Sequence, residues 1–362
     1  MYLPDPRLFA RVAPNNVFIR QVMRVLTAGE SAERASANAE LQRLLRDALE
    51  MGDDAGLQGA LALAPSQEAY KYLWTELREV LEAAPEAGQR AVVFAIPVLM
   101  VAAANKGQVP VSGKLTDVDA LVATLKQHGV FADTPEISLS SRLVTLQTLQ
   151  SWAPSQLWRW AEHLQDAARG VPVDLPEGGF VASSEAVHLR FLVGVALQHA
   201  GQPLPVKMGA DAAKWGMVLS QQINEQLKQD GLSLLAIPRG PQPLLQAMQS
   251  GRFARLEAGL QLLASATIRK IRQAGEDPVA VMSAHDNHEL RFTLSARQNS
   301  ERWEGYVWPL HPLDSVELIR DNAEALLREC RVDDIRVVEE VQPDMQDGLP
   351  LFLKAHNTPP NA

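Results

Sequence analysis

The chain has 362 residues, of which 46% are apolar and 21% charged, with a formal net charge of -9. A chain of this length buries roughly three quarters of its unfolded surface, so its fold needs no staple, and the single cysteine, Cys330, can form no internal disulfide. The negative balance disfavours non-specific adhesion to nucleic acid or to anionic membrane.

The opening MYLPDPRLFARV lacks a cationic stretch followed by an apolar core, which sets the expectation of a cytoplasmic protein. Residues 1–16, with Pro4, Pro6 and Pro14, read as an irregular lead-in. A first helix is predicted from Val17 to about Ala28, stopped by Gly29. A second follows Ser31, where Leu41, Leu44, Leu45, Ala48 and Leu49 form an apolar stripe and Gly52 ends it. Arg43–Asp47 and Arg46–Glu50 sit four apart on the opposite side.

Helical spacing continues at 54–63, 67–83, 88–104, 117–128, 139–151, 155–168, 185–200 and 209–229. Ser66, Asp117 and Ser155 stand where N-caps belong, and Gly129, Gly170 and Gly201 stand just past helix ends. The longest apolar run, Ala91 to Ala104, is interrupted by Pro97 and falls short of the roughly twenty residues a bilayer span needs. It reads as a buried core helix, with no membrane insertion. The segment 171–183, with two prolines and a Gly-Gly, fits a linker and a subdomain boundary. No fixed period recurs, which argues against a solenoid.

The pattern changes near Gly231. Leu232–Ile237 is a short apolar run bounded by Gly231 and Pro238, as a buried strand would be. A helix follows with Phe253, Leu256, Leu260, Leu263, Thr267 and Ile271 on one face and Gly275 as its stop. Val279–Ala284 and Glu289–Ala296 flank a His-Asp-Asn-His turn, and the second run alternates as a half-buried strand does. Trp303–Leu310 reads as a third strand. Asp314, with Glu317 three residues on, reads as a capping box before a helix whose buried stripe ends at Cys330. Ile335–Val341 closes as a strand.

The expected fold class is therefore α+β. A mostly helical, irregular region spans 1–229. A ferredoxin-like β-α-β-β-β-α-β sandwich spans 230–342, and a tail spans 343–362.

Four places carry chemistry worth weighing. His285, Asp286, His288 and Glu289 crowd two imidazoles and two carboxylates together, enough for a divalent metal or a general acid and base. Their spacing matches no zinc pattern, and Asp-Asn is ordinary turn chemistry, so a solvated hairpin tip is the leading reading. Arg252, Arg255, Arg269, Lys270 and Arg272 share one helix and could hold phosphate or nucleic acid. The competing reading is a solvated face whose last-turn cations complement the helix dipole.

Trp158 and Trp160 lie about 200° apart on a helix, so they cannot share one face; either both pack between helices, or one is core and the other is exposed to anchor a protein partner. In the tail, Leu349, Leu351, Phe352 and Leu353 read either as a docking segment or as a fold-back over the domain.

No phosphate-binding loop, dinucleotide fingerprint, nucleophile elbow or C-x-x-C is present. Cys330 reads as a buried, inert thiol, and no cofactor is implied.

Tyr306–Leu310 (YVWPL) and the helix end ALLRECRVDDI, closing at Ile335, resemble the C-terminal part of a family of bacterial proteins of unknown function. The resemblance covers the last third of the chain. It implies a bacterial cytoplasmic setting and an α/β module, and no site residues.

The leading expectation is a non-enzymatic adaptor or regulatory protein with a protein partner or a second copy of itself. The alternatives are an enzyme working at 285–289 and a phosphate-ligand or nucleic-acid binder working through 252–272.

Overall fold

The computed structural model describes residues 16–83, 88–103, 113–163, 186–228, 233–285, 289–298 and 303–338, and the backbone of 345–346 and 349–350. The chain divides into two compact units. Described residues 16–61 and 72–255 make the first, and 62–71 with those from 256 onward make the second.

The first unit opens with α1 (Val17–Thr27), α2 (Ser31–Met51), α3 (Asp54–Ala62) and α4 (Gln67–Glu82), the last beginning in the second unit. Asn16 caps α1 by accepting from the Phe18 and Ile19 amides, and Gly52 closes α2 in the left-handed conformation. Then come β1 (Gln89–Ala103), α5 (Val118–Gln127), β2 (Ile137–Thr145), α6 (Leu146–Gln150), α7 (Pro154–His163), β3 (Val187–His199), α8 (Gly216–Gln226), β4 (Ser233–Pro238) and β5 (Gln242–Pro243).

The expectation of an essentially strand-free N-terminal region is overturned here. The segments 88–104, 139–151 and 185–200, read as helices, form β1, β2 with the short α6, and β3. They join β4 in one sheet of order β2-β3-β1-β4, with β5 also on β1. The physical reason is burial on both faces. β1 and β3 pair antiparallel over thirteen residues, from Gln89 opposite His199 to Val101 opposite Val187. Phe94, Ile96, Val98 and Met100 are buried on one face of β1, and Ala95 and Leu99 on the other. A strand covered on both sides shows no polar alternation, and periodicity alone cannot separate it from a buried helix. The β-branched Val92, Val93, Ile96, Val98 and Val101 favour the strand.

Pro97 lies inside this central strand, where a missing amide is normally excluded. Its carbonyl accepts from the Arg239 amide, at the gap between β4, which pairs from Val98, and β5, which pairs at Phe94 and Ala95. The proline thus falls where the neighbouring ladder is interrupted.

The core of this unit lies between one face of the sheet and helices α5 and α8. Phe94, Ile96, Val98, Leu192 and Ala196 pack there with Leu121, Leu125, Trp215, Leu219 and Ile223. Gly194 faces Phe94 across the ladder, and the Phe94 ring meets Phe131 edge-on at 5.6 Å.

Helix α9 (Leu244–Gln273) begins in the first unit and ends in the second. The second unit continues with β6 (Pro278–His285), β7 (Glu289–Ala296), β8 (Trp303–Pro309), α10 (Val316–Glu329), β9 (Asp334–Val338), β10 (Met345–Gln346) and β11 (Leu349–Pro350). Its sheet has the order β8-β7-β6-β9. β6, β7 and β8 form an antiparallel meander, and α10 carries the chain back so that β9 lies parallel to β6.

The expected β-α-β-β-β-α-β order is therefore met only from its helix onward. Its first strand, β4, pairs with β1 in the other sheet. The helix capping also shifts by one residue: Ser315 caps α10 by accepting from Leu318, while Asp314 accepts from the His311 amide. Tyr306 reaches α9 through a close approach at Gly259, and its hydroxyl donates to the Leu256 carbonyl at 2.8 Å.

A methyl group at Gly194 would stand 2.4 Å from the Phe94 ring and 2.8 Å from a Leu139 methyl. Gly194→Ala is expected to cost about 1–3 kcal/mol by overpacking, read as a lower urea midpoint with an unchanged slope. An unchanged midpoint would mean that the Phe94 ring has room to move.

Candidate functional site

Of the four candidates at the turn after β6, Glu289 alone has a described side chain. His285 and Glu289 oppose one another at the hairpin mouth, while Asp286 and His288 lie outside the described residues. Glu289 is buried and engaged by Arg291, whose Nε and Nη2 both donate to its Oε1 at 2.7 Å. The pair belongs to the polar face of β7, shared with Thr293 and Ser295. The opposite face carries Leu290, Phe292 and Leu294, and all eight β7 residues are buried. β7 is thus wholly buried, where its alternation suggested a solvated face. Among the described residues no three His, Cys, Asp or Glu side chains converge as metal ligands would.

The basic face of α9 divides. Arg255 is buried and Arg252 half-buried, and both are engaged within the protein. Arg269, Lys270 and Arg272 are exposed. Lys270 stands 3.8 Å from Glu304, an exposed pair worth little.

Ser265, Ile268, Arg269, Arg272 and Gln273, spaced three and four apart, line an open groove of about 460 Å³ with Cys330. Cys330 is the C-cap of α10 and is half-exposed, not buried as its helical stripe suggested. Its Sγ lies 3.7 Å from the Ser265 hydroxyl. Arg272 donates to the carbonyl of Arg331, a residue held at φ 63 just past the helix. The Arg331 and Val332 amides close the last turn of α10 on Arg328 and Leu327. Arg272 thus serves a helix end, and the local dipole suits cations more than an anion.

Trp158 packs against Arg90, whose guanidinium lies 4.7 Å from the ring centre and donates to the carbonyls of Leu81 and Ala83 at the end of α4. It is therefore held inside the first unit. The side chain of Trp160 lies outside the described residues. In the tail, the backbone of Leu349–Pro350 pairs with β10 and lies against β7, a fold-back of the segment. Leu351, Phe352 and Leu353 lie outside the described residues.

The edges of the sheets separate the two units more sharply than any side-chain cluster. The outer edge of β4 is closed. Ser220 of α8 donates to the Ala236 carbonyl, the Ala236 amide donates to Asn224 at 2.9 Å, and Pro238 has no amide to offer. The outer edge of β2 is met across its bulge, where the Leu115 amide donates to Ser141 and the Leu143 amide to Gly113. β9 pairs only with β6 among the described residues. Its Val337 is 48% exposed. Arg336 and Arg297 both reach the Asp334 carboxylate, holding it below the usual carboxylate range through the Arg336 hydrogen bond first.

Two ionisable groups in the first unit, one buried and one half-buried, escaped the sequence reading. Arg190, in the middle of β3, is 8% exposed, and its guanidinium donates to the Leu189 carbonyl at 3.0 Å. Burial lowers its affinity for a proton. A lone Arg within VHLRFLVGVAL is the signal that marked it, hidden while the segment was read as a helix. Glu82 lies at the end of α4 with Arg78 at 3.8 Å from its Oε2 and, among the described residues, no hydrogen-bond partner at Oε1. Burial outweighs Arg78 and pushes its carboxyl up to about 7.

No known protein family, curated protein or solved structure matches the chain. No helix among the described residues is long and apolar enough to cross a membrane.

Arg190→Met removes a buried charge for which the described residues supply no carboxylate ion pair. It is expected to be neutral or to stabilise by about 1–3 kcal/mol, and a clear loss in thermal stability would reveal a partner for Arg190. Because the Glu82 carboxyl is raised from 4.5 to about 7, its contribution to stability is full below about 4.5 and is lost as pH rises through 7. The stability gap between Glu82→Gln and the parent should therefore open between pH 5 and pH 8, to on the order of 2–3 kcal/mol. A gap independent of pH would contradict the raised carboxyl.

Proposed function

We propose that the protein acts by recognition rather than catalysis, accepting an extended protein segment as a further strand along the outer edge of β9. The observation that carries this reading is the contrast between edges. β4 is closed by Ser220, Asn224 and Pro238, whereas β9 has no second neighbour among the described residues and exposes Val337. An open edge offers a row of amides and carbonyls to another chain, and main-chain pairing of this kind is a recurrent mode of peptide recognition. The engagement of Glu289 by Arg291 and of Arg272 by the Arg331 carbonyl also favours this reading over the metal site and the anion site.

A lysine on an edge strand blocks strand addition, and Val337 is exposed enough to accept one without repacking. Affinity capture from native lysate should recover a stoichiometric protein with the full chain and lose most of it with Val337→Lys. Equal recovery with both chains would overturn strand addition at β9.

A further inference from the structure

We infer that the strand taken by the β9 edge is β9 of a second copy of this chain, an inference that rests on the edge reading above. The argument is one of self-complementarity. A two-fold axis pairs a strand with itself in antiparallel fashion, each residue contact occurring twice. With the axis beside Ile335, Asp334 stands opposite Arg336 of the second copy, and Arg336 opposite its Asp334. Opposite charges facing one another across a ladder stabilise, and like charges destabilise. Moving the axis one residue, to Arg336, sets Arg336 against its own copy, so the charges select the first register.

The groups needed for this are accessible and already oriented. The Asp334 and Arg336 side chains keep 21% and 35% of their surface in solvent and share a face of the strand, 3.2 Å apart within one chain. Arg297 holds the Asp334 carboxylate from the side, so that carboxylate stays fixed when Arg336 turns to the second copy. On the other face Ile335 meets Ile335 of the second copy, with the exposed Val337 diagonal to it. Paired this way, the two four-stranded sheets become one continuous sheet, and each copy covers the β9 edge of the other. The interface is isologous and closes on itself at β9. A five-residue edge gives a small interface, which places the dimer among weak, concentration-dependent ones.

Light scattering on the purified full chain across a concentration series should approach twice the chain mass. Val337→Lys should remain at one chain mass with an unchanged far-UV circular dichroism spectrum, and Leu235→Lys, on the closed β4 edge, should dimerise as the parent does. Arg336→Asp and Asp334→Arg should each be monomeric alone and form a mixed dimer when combined, because the mixture restores both Asp–Arg pairs. A parent that stays monomeric, while Val337→Lys still loses its captured partner, would overturn the second copy and leave the edge reading standing. A dimer that survives Val337→Lys, or two charge variants that fail to pair, would overturn the inference.

Discussion

The antiparallel ladder between β1 and β3 is the constraint on which the first unit depends. Its thirteen residue pairs fix the register of two long strands. A slip of one residue would exchange their buried sets, turning Phe94, Ile96, Val98 and Met100 away from the core they share with α5 and α8. β2 extends this ladder on the β3 side and β4 on the β1 side, so their positions follow from it. The hydrogen bonds that close the outer edges come afterwards. Ser220 and Asn224 reach Ala236 only because α8 packs on the face that the ladder defines.

The same ladder explains how much of the fold was legible in the sequence. With one wet face α2 was legible, showing its stripe of Leu41, Leu45, Ala48 and Leu49 and its stop at Gly52; the β6–β7 hairpin, though β7 is buried on both faces, and β9 were legible as short runs between turns. The long central strands were not. With both faces dry, β1 lost the alternation that marks a strand, and its apolar run was as compatible with a helix. Pro97 should have weighed against that helix, since an interior proline breaks one. Its actual tolerance came from an interruption in the neighbouring strand, which no local pattern records. The partner of β4 was equally hidden, because a short strand between Gly231 and Pro238 does not say which sheet it joins.

The side-chain clusters depend on the fold in a different way. Sequence proximity brought His285, Asp286, His288 and Glu289 together, but a strand sends successive side chains to opposite faces. Glu289 takes the inner polar face of β7, where Arg291, two residues on, shares its direction and neutralises it. The arginines of α9 likewise looked like one patch because they share a helix. Burial then separates Arg255 from Arg269, and the end of α10 occupies Arg272. The groups that stand out physically, Arg190 and Glu82, carried no motif, since what distinguishes them is the apolar surroundings that the fold supplies.

Edge protection also has to be weighed on β9 itself. Short strands and charged residues are both devices that discourage strand addition, and β9 has five residues with Asp334 and Arg336 among them. The form of the charge decides the matter. A run of lysines would repel any copy of itself, whereas an Asp and an Arg two residues apart present a pattern that is its own complement when reversed. The two are drawn together within one chain, so the edge carries little net charge to repel an incoming strand, and Val337 beside them is apolar and open. On β4 the protection is of another kind: the Ala236 backbone is capped by Ser220 and Asn224, and Pro238 offers no amide. On the proposed reading, charge on β9 selects a partner, while on β4 the backbone of Ala236 is already engaged within the chain.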